Sequence, residues 1–394
     1  MKYFLLAILV SGCASINKES NDIVSISNIR LFLVDDFSKL KPEKSLTAEQ
    51  VSKDLQILDH FLSSAYGARN YIPDNLLEIA KNELHQMSAS STVDLCNKLA
   101  ETLSQVPDNH LTVAVWGEKC GRRSHGKGSV GKNFVVENKT WEIKSRKENG
   151  KYIGLIGITR FALNNDSVWN GFEEAISDLK AKSDVIIIDF RGNSGGDDSK
   201  GHKMGAILMG GDAPYPIKRQ VKTTTPEARV IWANLFTYYS NNLIDQGKPV
   251  PNAVSEMHKQ SLKLLEESLG SSKAEEVRKF TGGADWIYPN DDAFSGPMYI
   301  LMDRKCGSSC ESSIDVFEPM PTVKLVGENS FGSLHFGNVG KLVLPNSKVI
   351  VQMATHANLF KNNRFTEKVG FEPDIKVPSG EDALKYLLKT LGSD

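Results

Sequence analysis

The chain has 394 residues, with 47 basic against 48 acidic side chains and 40% hydrophobic residues. That length buries a core for one or two domains. The balanced charge, with no basic stripe or like-charge block, excludes the usual electrostatic footprint of a nucleic-acid partner.

At the N-terminus Lys2 precedes an apolar run from Tyr3 to Val10, closed by Ser11-Gly12-Cys13. The run is too short to anchor a folded protein across a bilayer, and it fits a signal peptide over residues 1–12. Small residues directly before Cys13 resemble the bacterial lipoprotein signal, in which that cysteine is lipidated and becomes the mature N-terminus. The resemblance implies a protein anchored by lipid in the bacterial cell envelope, on the periplasmic face, at the outer membrane. Residues 13–43 read as a polar tether, with a short strand at Ile29 to Val34. Four further cysteines, Cys96, Cys120, Cys306 and Cys310, form an even set, which in an exported chain suggests disulfides. Three connectivities are open, and the simplest pairs Cys96 with Cys120 and Cys306 with Cys310. Their spacing matches no common zinc pattern.

From Ser45 to Val106 the periodicity is helical. Thr47-Ala48-Glu49-Gln50 resembles a capping box, and Val51, Leu55, Leu58 and Leu62 form an apolar stripe. Further helices are predicted over Leu76–Met87 and Val93–Leu103, giving a helical subdomain over residues 44–110. Short strands are expected at Leu111–Val115, Asn133–Glu137, Thr140–Ile143 and Tyr152–Ile158. Phe172–Leu179 reads as a helix, and Asp184–Phe190 as a strand buried on both faces. Residues 226–281 look like a polar helical insertion or lid. After Gly296, strands at Met298–Met302, Thr322–Val326, Lys341–Leu344 and Val349–Met353 enclose a helix at Glu311–Phe317. Strand–helix–strand order with buried strands implies an α/β core over residues 111–380, followed by a C-terminal helix or tail over 381–394.

Cys306-Gly307-Ser308-Ser309-Cys310-Glu311 lies between a buried strand and a helix start. A serine in such a turn exposes its hydroxyl beside free backbone N–H groups and the positive helix end, as a nucleophile requires. The competing reading is a plain helix N-cap. Arg191-Gly192-Asn193-Ser194-Gly195-Gly196-Asp197 follows the buried strand. Its glycines allow positive φ, and successive N–H groups in such a turn form an anion nest. Asp108-Asn109-His110, His335 and His356 are the histidine segments next to strands. Gly126 to Asn133 nearly spells a phosphate loop, but no Ser or Thr follows its lysine and no helix comes after it.

Together these pieces resemble the S41 peptidases, the tail-specific and tricorn-core serine proteases with a ClpP/crotonase-like core. The matches are Asp189 to Gly196, Ser308-Ser309-Cys310-Glu311 followed by Val326 to Gly332, and Gly370-Phe371-Glu372-Pro373-Asp374. The resemblance covers most of residues 45–380 and implies a peptide or protein substrate, with no metal or nucleotide. It makes Ser308 the nucleophile, with oxyanion donors from Ser309 and from Gly195 or Gly196. Ser333 stands where many bacterial members carry a lysine base, and a hydroxyl is no base near neutral pH. The tricorn-like branch uses a histidine from a segment resembling Asp108-Asn109-His110 and a glutamate at the position of Glu367. The expected triad is therefore Ser308, His110 and Glu367, with His335 as the rival base. No room for a PDZ domain exists between residues 111 and 152. Two alternatives stand beside this reading: an inactive peptide-binding lipoprotein of the same fold, and an acyl-thioester enzyme on a crotonase-like core. Oligomeric state is not legible.

Overall fold

The computed structural model describes residues 24–121, 128–163, 166–281, 283 and 285–392. The signal segment, Cys13 and the last two residues lie outside them. The first helices are α1 (Ala48–Ser64), α2 (Leu76–Gln86) and α3 (Thr92–Leu103). At the start of α1 the Gln50 N–H donates to Thr47 Oγ1 at 3.2 Å. The Thr47 N–H donates back to Gln50 Oε1 at 2.9 Å, so two otherwise orphaned helix donors are satisfied. Val51, Leu55, Leu58 and Leu62 are all buried, as the helical spacing requires.

Twelve strands follow: β1 (Thr112–Val115), β2 (Glu118–Lys119), β3 (Trp141–Glu148), β4 (Lys151–Ile158), β5 (Val185–Asp189), β6 (Ile217–Thr223), β7 (Glu275–Lys279), β8 (Met298–Met302), β9 (Val323–Gly327), β10 (Phe336–Val343), β11 (Ile350–Phe360) and β12 (Ile375–Lys376). Between and after them lie α4 (Phe172–Lys182), α5 (Ser199–Met209), α6 (Pro226–Asp245), α7 (Asn252–Ser268), α8 (Ser309–Asp315) and α9 (Ala383–Leu391). One sheet runs β12-β9-β8-β5-β4-β3 and is parallel except for the β3–β4 hairpin. Its central strand β5 is buried at every position, hence its unbroken apolar run. The β8–α8–β9 crossover joins parallel neighbours, as such pairs require. The second sheet is antiparallel, in the order β2-β1-β11-β6-β7, with β10 also on β11. This mixed α/β core is the expected class.

Several expectations are corrected. Helices α1 to α3 do not form a separate subdomain: Leu58, Phe61, Leu99 and Leu103 share one core with Val113, Leu342, Val351 and Met353 of the antiparallel sheet. From residue 24 onward the tether packs onto the body. Ile29 and Phe37 are buried, and Ile29–Phe32 is a 3-10 turn, not a strand. Asn133–Glu137 is a loop, pinned by the Asn133 amide donating to the Asp189 carbonyl at 2.6 Å. Within 226–281 the chain forms α6, α7 and then β7, a strand on β6. Nor is α6 a polar lid: Val230, Ile231 and Ala233 are fully buried, and its Asn234 amide donates to the Lys341 carbonyl of β10 at 2.9 Å.

Candidate active site

Ser308 joins β8 to α8 with φ 54° and ψ −120°, a region that non-glycine residues enter only under strain. The geometry is held from behind by Glu311, whose side chain is fully buried. Its Oε1 accepts from Ser330 Oγ at 2.5 Å and from the Gly332 N–H at 2.8 Å. Its Oε2 accepts from the N–H groups of Ser333 at 2.7 Å and Ser308 at 3.2 Å. Burial pushes the Glu311 carboxyl above its usual range, against the pull of these donors. Glu311 was legible only as a spacing mark in the motif; its role as a clamp emerges from the fold. The Ser308 N–H also donates to Ser333 Oγ at 2.8 Å, so the residue at the family's lysine position supports the turn through its hydroxyl.

The glycine turn after β5 packs directly on this elbow. Gly195 has φ 98°, and a Cβ there would lie 2.8 Å from the Gly307 carbonyl and 3.0 Å from Ser309 N. Only glycine fits. The Gly195 N–H donates to Asn193 Oδ1 at 2.9 Å and is occupied. Among the described residues no acceptor engages the Gly196 N–H, and Ser309 Oγ donates to the Gly196 carbonyl at 2.6 Å. The N–H groups of Gly196 and Ser309 are thus the pair left for an anion beside Ser308.

His110 follows α3. Its N–H donates to Asp108 Oδ1 at 2.6 Å, and its ring Nδ1 lies 4.0 Å from the same oxygen. Asp108 is fully buried and takes the Tyr66 hydroxyl on Oδ2 at 2.8 Å. Glu367 comes at the same segment from the other side: Oε2 accepts the Asn109 N–H at 3.3 Å and Oε1 the His335 N–H at 2.8 Å. Burial first, and then the Asp108 charge, raise the Glu367 carboxyl well above the usual range. His335 is oriented otherwise. Its Nε2 donates to the Arg364 carbonyl at 2.6 Å, Thr366 Oγ1 lies 3.4 Å from Nδ1, and the ring packs 4.7 Å from Phe360. Burial lowers its pKa.

Ser308, Ser309, Gly196 and His110 all line one cavity of about 1390 Å³. Cys306 pairs with Cys310 and Cys96 with Cys120, with Cα separations of 5.4 and 5.6 Å. The first bridge brackets Ser308, and the second ties α3, which leads into His110, to the segment beyond β2. Among the described residues no cluster of His, Cys, Asp and Glu has a metal-site arrangement, and no helix is long and apolar enough to cross a membrane.

The model of Peptidase family S41 matches residues 152–377, more than half of the chain. The chain belongs to peptidase family S41. The match begins at β4 and ends at Val377, so the His110 segment lies outside it while the rest of this S41 site lies within. The S41 chain is similar in fold to mature CPAF, with a TM-score of 0.56 and 15% identity over 88% of this chain and 96% of that one. CPAF complexed with lactacystin gives 0.55 and 15%, over 88% and 98%. A Parabacteroides merdae protein described as a peptidase gives 0.51 and 14%, over 86% and 95%. Among curated proteins nothing matches.

Proposed function

We propose that this S41 chain is a serine peptidase of the bacterial cell envelope, acting through a Ser308 acyl-enzyme. The observation that carries the reading is the strained Ser308 elbow beside the Gly196 and Ser309 N–H groups, facing a cavity that His110 also lines. Ser308 Oγ attacks the peptide carbonyl carbon, and its proton passes to the His110 ring. The oxyanion takes the two N–H donors, a contribution of roughly 3 kcal/mol per donor to the barrier. The C–N bond breaks as His110 returns the proton to the leaving amine. Water then adds to the acyl carbon and loses its proton to His110, which passes it to Ser308 Oγ as the ester bond breaks, restoring both residues. Asp108 and Glu367 both accept backbone N–H groups of the His110 segment, and Asp108 Oδ1, 4.0 Å from His110 Nδ1, is the carboxylate beside the ring.

The test is cleavage of unfolded protein substrates by wild type and Ser308→Ala, with fluorophosphonate labelling in parallel. Wild type should cleave and label, and the variant should do neither. Cleavage that survives in folded Ser308→Ala overturns the nucleophile. A wild type that stays unlabelled favours the inactive peptide-binding reading.

Envelope anchoring through Cys13 rests on the lipoprotein-like segment. Wild type should take up radiolabelled palmitate and fractionate with the outer membrane, and Cys13→Ser should do neither.

A further inference from the structure

We propose that the cavity beside Ser308 contains a recognition pocket for a cationic side chain, with the Asp198 carboxylate as its acceptor. The pocket rests on the peptidase reading above and gives it a substrate class: peptides with Lys or Arg at the residue whose carbonyl Ser308 attacks.

The pocket is built where α5 meets α8. Gly205 faces Val316, and a Cβ there would come within 2.7 Å of Val316 Cγ2; at Gly201 a Cβ would meet the Ser313 side chain. This close approach brings His202 of α5 against Ser312 of α8. Ser312 N–H donates to the Ser308 carbonyl at 2.9 Å, so Ser312 stands one helical turn from the nucleophile.

A directed hydrogen-bond chain runs through the pocket. Ser312 Oγ donates to Asp198 Oδ2 at 2.7 Å. The hydroxyl's single proton is used there, so His202 Nε2, 2.9 Å away, donates to Ser312 Oγ. The Tyr215 hydroxyl lies against the same ring, within reach of Nδ1 and 2.6 Å from Nε2. Burial lowers the His202 pKa, against the pull of the Asp198 and Asp197 charges. The Ser312 and His202 donors both run toward Asp198. A ligand therefore meets a carboxylate whose neighbours have already used their protons, and it must bring a donor of its own.

Asp198 takes Ser312 on Oδ2, which also lies 3.5 Å from His202 Nε2; its side chain is 39% exposed, does not cap α5, and lines the cavity. Asp197 lines the cavity next to it. Phe161, Met209 and Val316 give apolar walls of the kind that cover a lysine or arginine stem. Three cations, Arg160, Arg278 and Lys279, also line the cavity. Arg278 lies over Phe280, which in turn stacks on Tyr215, while Arg160 and Lys279 are exposed.

The test uses four fluorogenic peptides differing only at the residue before the scissile bond, Lys, Arg, Leu or Glu. Wild type should favour Lys and Arg over Leu by roughly tenfold or more in kcat/KM, the worth of a charge-assisted hydrogen bond, with Glu the poorest. Asp198→Asn should lower the Lys-to-Leu ratio by a similar factor. A wild type that takes Leu or Glu as well as Lys overturns the pocket, and so does a folded Asp198→Asn protein with an unchanged ratio. Cleavage of none of the four also overturns it. The peptidase reading falls with it only if the fluorophosphonate also fails to label Ser308.

Discussion

Tyr66 donates its hydroxyl to Asp108 Oδ2 at 2.8 Å within a fully buried contact, and the other oxygen of that carboxylate holds the His110 N–H. A residue just past the end of α1 therefore sets the position of the proposed base. Tyr66→Phe removes one of the donors on a buried carboxylate, and should lower stability by about 1–3 kcal/mol in urea titration. Because Tyr66 does not line the cavity, kcat should fall roughly tenfold with KM little changed. An equal fall in stability with kcat intact would reduce Tyr66 to packing.

Glu367 gives a stability signature in pH. Its carboxyl is raised by burial and then by the Asp108 charge, so the folded protein holds its proton after the unfolded chain has released it. Stability from this group is complete below the ordinary glutamate range, about pH 4.3, and is lost as pH rises toward the folded value. Glu367→Gln cannot titrate there. Its melting temperature relative to wild type should therefore climb from pH 4 to pH 8, and a difference that stays flat would contradict the assignment.

Glu311 connects the nucleophile turn to the loop after β9. Glu311→Ala strands three donors, the Ser330 hydroxyl and the N–H groups of Gly332 and Ser333, while the Ser308 N–H keeps Ser333 Oγ. The loss should be about 3–5 kcal/mol. Fluorophosphonate labelling should also slow at temperatures where circular dichroism still reports a folded protein. Labelling at the wild-type rate would mean that the elbow holds its own shape.

The two bridges should separate stability from activity. They close loops of separation 24 and 4, which chain entropy converts to roughly 3.5 and 2 kcal/mol. Cys96→Ala with Cys120→Ala should therefore cost the larger share of stability. Cys306→Ala with Cys310→Ala should cost the larger share of kcat, because that bridge spans Ser308. Unfolding curves and turnover on one substrate check both orders.

What the sequence made legible was whatever local chemistry dictates. The capping box at Thr47, the buried run of β5 and the Ser308 hexapeptide each carry their signal within a few residues. Strand β7 is the opposite case. Glu275 to Lys279 is a charged stretch that is extended because β6 pairs with it, and no periodicity announces it. Likewise β11 continues through Thr355, His356 and Asn358, polar residues enclosed by neighbouring strands, where an apolar pattern stops at Met353. Gly201 and Gly205 mark α5 as a poor helix by propensity, yet they are what lets it approach α8. For that reason His202 and Ser312 gave no signal as a pair. At the candidate site, the segments of Ser308, His110, Glu367 and the glycine turn stood out as motifs. The ties among them through Glu311, Asp108 and Tyr66 depend on long-range contacts.

The backbone of Ser308 carries a last consequence. At φ 54° and ψ −120° a side chain is a liability, and glycine would sit there relaxed. Ser308→Gly should thus fold more stably than wild type by about 1 kcal/mol while being inert. Selection for robustness alone would erase this serine. On the proposed function, its place in the turn is a trade of durability for reactivity, localised to a single pair of torsion angles.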